Sequence, residues 1–432
     1  MKKPLSDRRP WLAVARAYGR AFWTRNHLPP GDLVDIDEQE RRRRTMLLDR
    51  AARYGPVFKG LMERRLTVCV VGHERGRRLL KDHAADLRPV TIQLESLFPN
   101  GFMRGMQGEV HRDYRRALVH GIGALDFDVL TPRIEGCADA ALAAYADAPA
   151  PASPQAWAGT LAQIAASALI TIFFGPDPAH PAHARLLAAY HRLGPHGVVW
   201  TISTRQVEAY QALCAELAAL DVDAGGLLGH LRAQGNVDDT LLGNLVYMVE
   251  LGRYDLRGLL RWISRYAADH PAWLERIAME AAGHAGAVSG KSVAEAFVLE
   301  TLRMDQSERL MRDVRREFVF DGWLVPRGSL VRVCMWEAHK EPQSFRQPFV
   351  FDPARFLGDG LATDRFSPFG LDHHHCPLAG PSVEVAVAFL RALARNYVVD
   401  GRNFEPAVRG PYHWEPSTKF EVTLKRNGGS AH

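Results

Sequence analysis

A lone cysteine near the end of the chain sets the tightest limit on what this sequence can build. Cys376 closes the stretch Phe366-Ser-Pro-Phe-Gly-Leu-Asp-His-His-His-Cys376-Pro-Leu-Ala-Gly380, which is rich in turn formers and histidine. A helical pattern follows at once, with Val383, Val385, Val387, Ala388, Leu390 and Leu393 on apolar spacing. A cysteine just before a helix N-terminus feels the positive end of the helix dipole, which favours thiolate over thiol. A thiolate there can be a nucleophile, a metal ligand or an axial ligand of heme iron. A buried structural cysteine is the commoner fate of a single Cys, so the loop alone leaves these readings open. Zinc at His373-His-His-Cys376 fits poorly, because adjacent residues do not converge easily on one tetrahedral ion.

Two further stretches narrow the choice. Glu300-Thr-Leu-Arg303 lies on a helical pattern running from about Ser292, and Phe351-Asp-Pro-Ala-Arg355-Phe356 comes between it and the cysteine. Each is weak alone. In this order and spacing the chain resembles the cytochrome P450 family. The resemblance implies a mostly α fold, one large helical domain with a small β-rich lobe. It implies heme b held by the Cys376 thiolate, and a buried charge network of Glu300, Arg303 and Arg355 that supports the cysteine loop. The expected layout is a charged helical extension over residues 1–50 and one domain over 51–432. Its β-rich lobe would cover about 54–100 and its helical heme part about 101–432.

Composition agrees with that class. The chain has 432 residues and is 47% hydrophobic, enough for a large core. Its five cysteines (Cys69, Cys137, Cys214, Cys334, Cys376) form no CxxC pair, as in a reducing cytosol. A net charge of +5 on this length is not the footprint of a nucleic-acid binder. No membrane span is expected, since the polar N-terminus and the interrupted apolar patch Trp11–Phe22 fall short of one, so the expected location is the cytoplasm. Arg41-Arg-Arg-Arg44 reads as the solvated face of an amphipathic helix beside Asp35, Asp37, Glu38 and Glu40.

Further along, Tyr54-Gly-Pro-Val-Phe and Leu66–Val71 predict strands. His111 and Arg115 stand four apart on one helical face. In the resembled family such a pair binds the heme propionates, and the planar fork of Arg suits a carboxylate. Ala146–Pro154 reads as a linker, and Leu186–Gln211 as helices capping a substrate pocket. A long helix is expected from near Asp239 to His270-Pro271, crossing the protein's middle. By resemblance it crosses one face of the heme, opposite the Cys376 helix. Arg312 is the expected further propionate ligand, with Arg309 as the fallback; Glu308 and Arg309 would make the pocket polar.

Two departures from the family pattern matter. The middle of the long helix, where relatives carry small-Gly-x-acid-Thr, reads Leu251-Gly252-Arg253-Tyr254-Asp255. Gly252 survives, Tyr254 takes the acid position and Asp255 the Thr position. Charges inside such a helix are costly unless paired or functional. Three readings stay open: Glu250, Arg253 and Asp255 make local salt bridges at a distortion around Gly252, or Asp255 replaces Thr as proton donor, or Arg253 binds a substrate carboxylate. In the cysteine loop, Phe369 and Gly370 match and His374 falls at a propionate-contacting position. Asp372 and Leu378 replace two glycines, with Gly380 expected to take over the bend.

The expected function is a monooxygenase acting on a small organic molecule in secondary metabolism, fed by a ferredoxin or flavodoxin. The alternative is a heme-thiolate enzyme of another class, such as peroxide-driven oxidation, coupling, dehydration or rearrangement. A non-catalytic scaffold ranks last.

Overall fold

The computed structural model describes residues 10–90, 101–106, 108–149, 153–194, 203–221, 225–235, 237–283, 290–306, 309–358, 365–371, 375–410 and 413–427. Helices dominate. Three of them make the heart of the core: Phe127–Ala146, Pro154–Phe174 and the long Asp239–Asp269 helix, with Ala379–Asn396 packed against the first of them. Their starts are encoded locally. Ser153 and Asp238 cap two of them by accepting the N–H groups of Ala156 and Leu241, at 3.1 and 2.7 Å. Gly175 ends the 154–174 helix in the left-handed region, φ 81°. The 239–269 helix runs without a break to His270, and no distortion marks Gly252.

The Pro154–Phe174 helix lies at the centre of this core. By length and composition it is apolar enough to cross a bilayer, though most of it is buried in this core. An all-round apolar helix is what the centre of a large helical layer requires. Near the N-terminus, the Pro10–Thr24 helix buries Val14, Ala17 and Ala21 and leaves Trp11, Phe22 and Trp23 exposed.

The β lobe is a five-stranded sheet in the spatial order Val57–Met62, Arg65–Val71, Leu330–Cys334, Arg309–Val314, Leu87–Pro89. The second and third strands pair in parallel and the other neighbours antiparallel. The lobe therefore joins chain segments far apart in sequence. Residues expected as a separate extension pack into it: Ile36 and Leu47 are fully buried with Phe58, Cys69 and Cys334.

The arginine run departs from its reading as a solvated face. Its helix, Ile36–Arg42, ends before Arg43 and Arg44. Arg44 turns inward and pairs with Asp305, whose second oxygen accepts the Tyr266 hydroxyl. Its guanidinium lies 5.7, 4.6 and 5.3 Å from the ring centroids of Trp262, Trp336 and Trp414. A cation among three indoles gains from each ring quadrupole. Arg44→Ala strands the Asp305 carboxylate and empties this cage, and is expected to cost about 2–4 kcal/mol. Urea unfolding checks it; a loss within 0.5 kcal/mol, roughly the limit for an ordinary surface change, contradicts the assignment.

Candidate active site

The cysteine loop is built from its own backbone outward. The Cys376 N–H donates to the Phe369 carbonyl at 2.8 Å, closing the loop across its neck. Gly370 has φ 96°, a conformation that favours glycine, which is why this glycine of the pattern is kept. Leu378, by contrast, has φ −95° and ψ 17°, so the position needs no glycine. Gly380 does not take over a bend; it sits in the first turn of the Ala379–Asn396 helix. Leu378 is buried, and its N–H donates to the Cys376 sulfur. His374 and Asp372 lie outside the described residues.

Burial pushes the Cys376 thiol up, against the pull of the Leu378 N–H and of Arg115 toward thiolate; the Asp255 carboxylate pushes it further up. The helix N-terminus expected to favour thiolate is therefore outweighed by desolvation. A bound metal cation is the physical agent that holds such a sulfur deprotonated.

Arg115, on the Gly108–Gly123 helix, donates to the His375 carbonyl at 3.0 Å, beside the cysteine. Among the described residues no carboxylate pairs with it at salt-bridge distance. His111, one turn earlier, has its pKa lowered by burial and by Arg115. Arg312 is buried in the Arg309–Val314 strand and donates to the Met311 carbonyl at 2.8 Å. No described contact joins Arg312 to Cys376. Glu308 lies outside the described residues, and Arg309 opens the strand.

Behind the loop, Glu300 and Arg303 form a fully buried two-point ion pair, with both N···O distances 2.7 Å. The Arg355 Nε and the Asp352 N–H reach the same Glu300 oxygen at 3.3 and 2.9 Å. Arg303 also donates to the carbonyls of His339 and Pro348, at 3.0 and 2.7 Å. The His339 ring accepts the Ser367 N–H at 3.1 Å, and the Ser367 hydroxyl meets His73 at 2.5 Å. The network thus reaches the start of the cysteine loop. Motif spacing carries the first three residues; His73, Ser367 and His339 give no signal in the sequence, because each is a lone polar residue until the fold joins them.

The middle of the 239–269 helix divides by face. Glu250 and Arg253 pair with each other at 2.7 and 2.9 Å, and Arg253 also donates to the Gly194 carbonyl. Both are buried, which favours the local salt-bridge reading for this pair. Gly252 packs on the 154–174 helix, where an added Cβ would lie 3.3 Å from Leu169. The Tyr254 hydroxyl donates to Glu415 at 3.1 Å, and Arg261 holds the other oxygen of Glu415. Asp255 differs. Its side chain is 53% exposed, lies 3.9 Å from the His413 ring and is near enough to Cys376 to raise its pKa. Of the four helix residues singled out, Asp255 is the one the structure brings toward the cysteine.

These residues fit a heme. One half-buried sulfur with an N–H donor can supply an iron ligand, and Arg115, cationic and without an acidic partner among the described residues, stands beside it for a carboxylate.

Comparison with known proteins agrees. A model of the family described as cytochrome P450 matches residues 292–379. Cytochrome P450 716A75 of Maesa lanceolata is 41% identical over 66 residues, 15% of this chain and 14% of that protein. Abscisic acid 8'-hydroxylase 3 of Oryza sativa subsp. indica is 25% identical over 364 residues, 75% of this chain and 71% of that protein. The structure of retinoic acid bound cyanobacterial CYP120A1 superimposes with a TM-score of 0.74 at 20% identity, covering 93% of this chain and 100% of that one. That likeness shows the fold: mostly α with a small β-rich region. The matched segment runs from the Ser292 cap of the Glu300 helix through Cys376 to the first residue of the helix behind it. Over residues 292–379 the chain is thus similar to cytochrome P450s, the segment that carries both the Glu300 network and Cys376, and its fold is the one that CYP120A1 adopts.

Proposed function

We propose that the chain is a monooxygenase of a small organic molecule in secondary metabolism, working in the cytoplasm with electrons from a ferredoxin or flavodoxin. The observation that carries it is the half-buried Cys376 sulfur, drawn toward thiolate by the Leu378 N–H and Arg115 and within reach of the Asp255 charge. When bound, heme supplies an iron that activates dioxygen, and a thiolate ligand favours O–O cleavage. The chain's own residues do the rest. Cys376 would ligate the iron, and Arg115 and His111 would hold a propionate, with Arg312 as a second cation. Glu300, Arg303 and Arg355 keep the loop in place from behind. Asp255 offers an oxygen that can hold or give a proton. A net charge of +5 supports docking of an acidic redox partner.

The Tyr254–Asp255 replacement supports a second reading, a heme-thiolate enzyme driven by peroxide or of another reaction class. Against its substrate-carboxylate form stands Arg253, whose guanidinium is engaged by Glu250 and Gly194.

The test is turnover of a panel of apolar small molecules with ferredoxin, its reductase and NADPH under labelled dioxygen. The expected product carries one labelled oxygen atom and requires reductant. Equal product from peroxide alone, or product without label, contradicts the monooxygenase reading.

A further inference from the structure

We propose that the Pro10–Thr24 helix lies on an anionic phospholipid surface, with its aromatic face entering the lipid and a cationic cavity at its C-terminal end receiving a headgroup. The inference does not depend on the heme reading. It is compatible with a cytoplasmic chain, because such a helix rests on a bilayer without crossing it. The helix is apolar on two sides. One side packs inward through Val14, Ala17 and Ala21. On the other, Trp11, Ala15, Tyr18 and Phe22 follow the i, i+4, i+7, i+11 spacing of a single stripe, with Leu12 and Trp23 on the line beside it.

That second side faces out. Trp11 is 67% exposed, and Phe22 and Trp23 are each 81% exposed. Single exposed apolar residues are ordinary, but large aromatic side chains gathered on one helix face mark a surface that something covers. The helix is also held in this rotation. On the edge between its two apolar sides, the Arg20 Nε and Nη2 donate to Glu317 at 2.8 and 2.5 Å. Rolling the stripe inward would break this pair and expose Val14, Ala17 and Ala21.

Charge selects the occupant. Seven of the first 25 residues are basic and only Asp7 is acidic, so this segment carries +6 while the whole chain carries +5. The positive charge of the protein is therefore concentrated where the aromatic stripe is. Two copies meeting through this face would bring like charges together. An anionic bilayer answers both features at once. Its acyl boundary takes the Trp and Phe rings, and its headgroups take the basic side chains. Arg16 sits on the same line as Leu12 and Trp23, where its long stem can run along the apolar face and keep the charge at headgroup level.

A cavity supplies the second, independent observation. It measures about 530 Å³ and is lined by Tyr18, Phe22, Arg25, Asn26, His27 and Lys59, so it adjoins the stripe through Tyr18 and Phe22. Arg25 brings a planar fork that matches phosphate oxygens. The Lys59 Nζ donates to the Pro29 carbonyl at 2.6 Å, which uses one of its three donors. Two fixed cations beside exposed aromatic rings are what a phospholipid headgroup and its glycerol end require.

The test is flotation of the full-length protein with vesicles of phosphatidylcholine alone and of phosphatidylcholine mixed with phosphatidylserine. The protein is expected to bind the mixed vesicles about tenfold more tightly or better, and to be weakened by about 1 M salt, which screens charge within about 3 Å. Replacing the three exposed rings together, Trp11→Ser, Phe22→Ser and Trp23→Ser, should leave the urea midpoint in place and weaken vesicle binding about tenfold or more. Arg25→Glu should weaken binding to the mixed vesicles about fivefold or more. Equal binding to both kinds of vesicle, or to neither, overturns the lipid assignment, and unchanged binding by the triple serine variant overturns the helix as the contact. Unchanged binding by Arg25→Glu overturns the headgroup role of the cavity. A dimer seen by light scattering and lost in the triple variant would give the face to a second copy of the chain and overturn the proposal.

Discussion

Glu300→Ala is expected to yield protein that binds no heme and is destabilised by about 3–5 kcal/mol. Glu300 is completely buried and receives two donors from Arg303, one from Arg355 and the backbone N–H of Asp352. Deleting the carboxylate removes its charge and leaves the fully buried Arg303 guanidinium without a counterion. Desolvating a guanidinium is expensive, and the remaining carbonyl contacts from His339, Pro348 and Val350 are dipoles, not charges. The cheapest relief is for the 347–355 segment to open and admit water. Arg303 also holds the His339 carbonyl, and the His339 ring ties Ser367, and so the loop leading to Cys376, to the helix core. Glu300→Gln keeps the shape and loses the charge, so its cost should be similar in sign and smaller. Heme content and urea midpoint measure the two effects. Normal heme in Glu300→Ala contradicts the network's supporting role.

How far the sequence could be read depended on range. Capping residues Ser153, Asp238 and Ser292 mark helix starts within three residues of the N–H groups they satisfy. Apolar spacing marks the 239–269 helix, and β-branched runs mark the 65–71 strand. The Glu300–Arg303 pair is one helical turn, and its site is legible for that reason. Contacts made by packing distant segments were not. Arg44 looked like one of four solvated arginines, and only the fold supplies Trp262, Trp336, Trp414 and Asp305 around it. His413 and Glu415 carry no motif, yet they complete the face that Tyr254 and Asp255 begin. Leu378 looked like a fault because the family pattern has glycine there, whereas its backbone angles suit any residue. Charge also misled at Cys376: helix position argues for thiolate, but the depth of burial, set by tertiary packing, argues more strongly the other way.

Cys376→Ser has the largest expected effect on the cofactor. Serine is nearly isosteric, so the loop's N–H to Phe369 carbonyl bond and the helix start are retained. What is lost is a soft, polarisable sulfur that gives up its proton to a metal. A hydroxyl does so far less readily, and it donates less electron density to iron. The same argument makes the ligand switch visible, since the Soret band of a reduced carbon-monoxide complex shifts to the red only with sulfur thiolate opposite the gas. The decisive measurement is therefore the reduced, carbon-monoxide-bound absorption spectrum of the purified protein beside that of Cys376→Ser. A red-shifted Soret band in the first and its loss in the second is the predicted result. No heme in the unaltered protein, or the same band in both, would contradict ligation by Cys376.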